Sequence, residues 1–122
     1  MPVKPIEILH VATTLLNNNA EAARRSAVSR AYYAAYHHGI QVVDIKLPLT
    51  KNTICKGGCH QQLFMKLSNG QSRIWEDIAF KVNALRRKRV RADYYLDQPI
   101  SKGLANECVR TAQQIIDALD SV

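Results

Sequence analysis

The stretch that decides the fold is Arg25-Ser-Ala-Val-Ser-Arg-Ala-Tyr-Tyr-Ala-Ala-Tyr-His-His38. It is rich in alanine and holds neither Gly nor Pro, so it predicts a helix. At helical spacing Ser26, Arg30, Tyr33 and His37 fall on one face, a polar line along an otherwise apolar rod. Arg30 and Tyr33 stand among alanines, whose small side chains let another element approach closely. A charge in such a place needs a partner, because an unpaired buried charge is costly. Two readings stay open: a structural arginine in a helical core, or a residue of an active or binding site.

Working outward, this helix runs from about Ala20 to Ile45 and is the longest predicted element, with Gly39 as a tolerated weak point. Leu47-Pro-Leu-Thr50 ends it, since a residue before proline disfavours the helical region. Upstream, Pro5 to Asn18 predicts a first helix: Pro5 suits the first turn, and Ile6, Leu9, Ala12, Leu15 and Leu16 make its apolar face. Downstream, Thr50 to Gly58 is a loop and His60 to Leu67 a short third helix stopped at Asn69-Gly70. Ser72 is the expected N-cap of a fourth helix, with Ile74, Ile78, Val82 and Leu85 on its buried side. After Asp97-Gln-Pro99 a last helix spans about Pro99 to Leu119, with Ile100, Leu104, Cys108, Ala112, Ile115 and Leu119 on one face. The expectation is an all-α chain, a bundle of about five helices in a single domain over residues 1–122.

Composition narrows the class. No apolar run approaches the ~20 residues needed to span a bilayer, and Met1 to Leu9 is too polar for a signal peptide. The expected setting is cytoplasmic, with no membrane partner. The 3 cysteines are then expected as thiols. Cys55, Cys59 and His60 invite a metal reading, but three residues separate the cysteines and structural zinc wants four ligands. No metal and no cofactor is expected.

The net charge of +7 is local. Lys81, Arg86, Arg87, Lys88, Arg89 and Arg91 follow one another with no acid among them before Asp93, and they account for most of the excess. This predicts one basic surface patch on the fourth helix. With no interleaved carboxylates the like charges repel, and an anionic polymer would relieve them. Trp75, Tyr94 and Tyr95 flank the run as stacking surfaces for single-stranded RNA. RNA or a nucleotide is the expected partner. The alternative is a non-catalytic dimeric interaction module that docks an acidic protein. The Ala-rich second helix also predicts a homodimer. Arg30 and Asp93, each a lone charge in a small or aromatic stretch, are expected to pair, with Tyr33 and Tyr94 lining the contact.

Three features resemble the HEPN domains, small all-helical bacterial and archaeal modules: the run Arg25 to His37, the position of His60 at a helix start, and Leu85 to Tyr94, a Leu…Arg-x-x-Ala-Asp-Tyr pattern. The resemblance implies a four-helix up-and-down core and a homodimer. It also implies a toxin–antitoxin or defence setting beside a separately encoded nucleotidyltransferase antitoxin. Many members are metal-independent ribonucleases in which an Arg and a His a few residues apart act across a dimer. His moves the proton of a 2′-hydroxyl and Arg stabilises the phosphorane. The matching pair here is Arg30 and His37, the candidate catalytic residues. The chain departs from the pattern in one respect: the motif usually lies on a later helix, near Arg89 to Tyr94, where no His is within reach.

Overall fold

A computed structural model describes residues 3–46 and 72–122. Among these residues all regular secondary structure is helical: α1 (Pro5–Leu15), α2 (Glu21–Lys46), α3 (Arg73–Tyr94) and α4 (Lys102–Ser121). The loop from Thr50 and the short helix from His60, with Cys55 and Cys59, lie outside the described residues. Four helices, not five, therefore make up the described bundle.

Local chemistry places the helix ends. Pro5 opens α1, and the Glu7 carboxylate accepts the Lys4 amide at 2.8 Å. α1 stops at Leu15, before the predicted Asn18, because Asn18 turns its side chain back onto the Ala20 amide at 2.8 Å and breaks the helical ladder. Ser72 caps α3 as expected, accepting from the Trp75 amide at 3.4 Å. Ser101, not Pro99, caps α4, accepting from Leu104 at 3.1 Å.

Cross-helix contacts fix the directions. Arg25 meets Ala92 while Tyr32 meets Arg89, so α2 and α3 run antiparallel. Lys88 meets Glu107 on the antiparallel α4, and α2 runs with α4, from Arg24 beside Ile100 to His38 beside Asp120. α2 packs against all three other helices. Its alanines make this possible: Ala27, Ala31, Ala34 and Ala35 are fully buried inside the chain. The small-residue face expected to bind a second copy is thus consumed by the chain's own helices.

The α4 stripe is as expected, with Ile100, Cys108, Ala112, Ile115 and Leu119 buried and Leu104 half-buried. On α3, Ile78, Val82 and Leu85 are buried but Ile74 is 55 % exposed. Trp75 takes the inward place in the first turn of α3. Trp75 is therefore core, not a stacking platform.

Burial pushes the Cys108 thiol up to about 11, with Lys88 opposing weakly. Near pH 8 the native thiol should alkylate about a hundredfold more slowly than in urea, because the thiolate is the nucleophile. Peptide mapping after iodoacetamide checks this for Cys108 separately from Cys55 and Cys59. Equal labelling in both states would contradict the burial.

No helix among the described residues is long and apolar enough to cross a membrane.

Candidate nucleic-acid interface

The basic run does not form one patch. Successive helical residues turn by about 100°, so six cations spread over eleven positions must encircle the axis. Arg89 points inward and is 6 % exposed. Lys88 bonds the Glu107 carboxylate on α4 at 3.1 Å. Arg91 donates from Nη2 to the Pro99 carbonyl at 2.6 Å. Lys81 and Arg86 are half-buried on opposite flanks of α3, and Arg87 is exposed on its outer side.

Arg89 forms the floor of the seam between α2 and α3. Its guanidinium carbon lies 5.4 Å from the Tyr33 ring centroid, 5.5 Å from Tyr32 and 5.8 Å from Tyr94. Its Nη1 reaches the Asp93 carboxylate at 3.4 Å, one turn away on the same helix. Ser29 Oγ donates to the same carboxylate oxygen at 3.2 Å from α2. The expected Arg30–Asp93 pair is therefore corrected: Asp93 belongs to Arg89 and Ser29. Arg30 is one step further round α2, which carries its side chain to the surface. Tyr33 and Tyr94 do line the contact, but around Arg89.

The seam's surface collects what remains of the predicted site. Arg30 and His37 are exposed on α2 and Tyr33 is half-buried between them. The His37 ring lies 6.2 Å from Tyr33 and 5.2 Å from Tyr36. On the α3 side Arg86 stands one turn from Arg89. Its Nε and that of Arg89 are buried without a hydrogen-bond partner among the described residues. Burial drives the Tyr32 phenol well above its ordinary value, although the Arg86 and Arg89 charges pull the other way. Tyr32 therefore stays a neutral wall under two cations.

A second cluster was missed by sequence reasoning. Arg25, 9 % exposed, donates to the carbonyls of Arg91, Ala92, Tyr95, Leu96 and Gln98. It thereby caps the C-terminus of α3 and holds the turn that follows. Glu21 bonds Arg25 Nε at 3.2 Å and accepts the Ile100 amide at 3.3 Å, while Arg24 donates to the Ile100 carbonyl at 2.8 Å. The Arg25 guanidinium holds the Glu21 carboxyl below its ordinary range. One signal was available: two cations in the first turns of a helix oppose its own dipole, and so they suit a neighbour's carbonyl end.

Chemically, the seam offers cations and aromatic faces, and no three His, Cys, Asp or Glu side chains come together as metal ligands among the described residues. Arg30 and His37 stand about 10 Å apart along α2, two turns along one face. No family model matches the chain, and neither a curated protein nor a solved structure does.

Proposed function

We propose that the chain is a HEPN-like helical domain that binds single-stranded RNA or a nucleotide along the α2–α3 seam. Arg86 and Arg30 contact phosphate there, and Tyr33 and Tyr94 offer faces to bases. The observation that carries this reading is the charge imbalance of the seam. Arg86 and Arg89 lie one turn apart on the α2 side of α3, and Asp93, the carboxylate bonded to Arg89 among the described residues, is shared with Ser29. An external anion would relieve the repulsion and reach the remaining donors of Arg86. Arg89 is a support under that surface rather than a contact, because three rings and a carboxylate already surround it.

The activity proposed is binding. Cleavage would need Arg30 and His37 on one phosphate, with a second protomer bringing in its own pair to build a compact site. The toxin–antitoxin setting and the nucleotidyltransferase partner rest on the HEPN resemblance alone.

Fluorescence anisotropy with unrelated single-stranded RNAs at rising salt tests the reading. Affinity should fall linearly on a log–log plot, and Arg86→Ala should weaken every RNA alike while lowering the slope by about 0.7. No binding at low salt would end the proposal in favour of an acidic protein partner. RNA cleavage that His37→Ala abolishes would replace binding by catalysis.

A further inference from the structure

A cavity of about 520 Å³ lies between the head of α1, the C-terminal half of α2 and the C-terminal end of α4. Small-molecule sites fall in this size class, about 300–1,000 Å³. None of its lining belongs to the α2–α3 seam: His38 follows His37 but is turned about 100° round α2, toward α1 and α4. Ile6 and the buried Ile116 give the cavity apolar walls, while Lys4, His38, Asp117 and Asp120 bring charge and polarity to it.

The charges on this cavity have the wrong sign for the helices that carry them. Lys4 is the N-cap of α1, where the helix dipole is positive and a small polar side chain is the favoured residue. Asp117 and Asp120 stand at the C-terminal end of α4, where the dipole is negative, and the last turn there holds no base. Each placement weakens its own helix, and the chain does not repair either one. Glu7 bonds the main-chain amide of Lys4, not its ammonium. Among the described residues no ion pair joins Lys4 to a carboxylate. Asp117 accepts the neutral Gln113 amide at 2.9 Å, which leaves its charge uncancelled, and His38 Nε2 holds Asp120 in place at 2.6 Å. The cavity is therefore positive on its α1 side and negative on its α4 side.

We infer that this cavity binds a small zwitterion with an apolar body, a free amino acid or a dipeptide. Its ammonium sits on Asp117 and Asp120, its carboxylate on Lys4, and its side chain against Ile6 and Ile116. A simple cation would meet Lys4 with like charge, and a simple anion would meet the two aspartates. A ligand carrying both charges satisfies both helix ends at once. The inference goes beyond RNA binding at the seam, and neither reading needs the other.

Isothermal titration calorimetry of the full chain tests it, with L-leucine and leucyl-leucine as probes. One or both should bind saturably, and the tighter of the two tells a free amino acid from a dipeptide. The amide of that probe, a cation alone, and its N-acetyl form, an anion alone, should each bind about tenfold more weakly, because each loses one charge-assisted contact. Lys4→Gln should weaken the zwitterion by about the same factor and bring it level with its amide. Asp117→Asn should weaken the zwitterion without weakening the N-acetyl form. Both positions are exposed, and circular dichroism checks that each variant folds. The comparison of probes on the native chain depends on neither variant. The inference falls if neither probe binds the native chain at millimolar concentration, or if the amide or the N-acetyl form binds as tightly as the zwitterion. It also falls if both folded variants bind the zwitterion as tightly as the native chain does.

Discussion

Replacing Arg25 by alanine is expected to destabilise the fold by about 3–4 kcal/mol, a large share of the ~5–15 kcal/mol available to a domain of this size. The argument is one of accounting for acceptors. The last carbonyls of a helix lack partners of their own helix; Arg25 serves that of Ala92 and those of Leu96 and Gln98 in the following turn, and joins the Tyr95 and Gln98 amides on the carbonyls of Arg91 and Tyr95. Removing the guanidinium takes the arginine donor from the carbonyls of Ala92, Leu96 and Gln98 and opens a gap that water must fill. Arg25→Lys should recover only a minor part, since one ammonium cannot span five separated acceptors. Thermal unfolding should show a fall of about 10–20 °C for Arg25→Ala. A change within a few degrees would show that the cap is dispensable. The pH dependence follows from Glu21, whose carboxyl is held low chiefly by its hydrogen bond to Arg25. A depressed acid contributes stability above its ordinary value of 4.5 and loses it as pH falls through the lowered one. The Arg25→Ala variant should lack this part of the acid dependence.

Arg89→Ala is expected to cost about 3 kcal/mol, and Asp93→Ala only about 1–2 kcal/mol. The asymmetry comes from geometry. At 3.4 Å the Arg89–Asp93 pair is long, and the Asp93 side chain is 30 % exposed, so water screens what the carboxylate contributes. The three rings around Arg89 stay in place when Asp93 is lost, and continue to hold the cation. Losing Arg89 instead leaves a cavity among Tyr32, Tyr33 and Tyr94 as well as an unpaired acid. Urea unfolding of the two single variants and the double should give non-additive losses, with a coupling on the order of 1 kcal/mol. Strict additivity would mean that the ion pair contributes nothing beyond packing around the rings.

The helices were legible because each carries its own local signals. Pro5 and Ser72 start helices where the sequence places them, and the α4 stripe from Ile100 to Leu119 reads directly as a buried face. The site was less legible, for two physical reasons. A run of cations looks like a patch on paper, but a helix distributes neighbours around its axis, so Arg89 turns inward while Arg87 turns out. The partner of a charge is also set by three-dimensional phase. Asp93 lies within reach of Ser29 and Arg89, and the one-residue difference between Ser29 and Arg30 decides which of them crosses to α3. An aromatic near a basic run reads as a surface residue, yet Trp75 is buried, because its position in the first turn of α3 is covered by neighbouring helices that the sequence does not display.

The Arg25 clamp has a consequence for how this fold tolerates substitution. All five acceptors it grips are main-chain oxygens, which every amino acid supplies. The demand therefore falls on a single side chain and leaves the identities at 91, 92, 95, 96 and 98 unconstrained by it. Two sequences with this arrangement would share one arginine at the head of the central helix and differ freely in the turn it holds. Position 25 would also show no pairwise covariation with that turn, although it touches all of it. A contact that covariation cannot register would then hold together residues more than 60 positions apart in the chain.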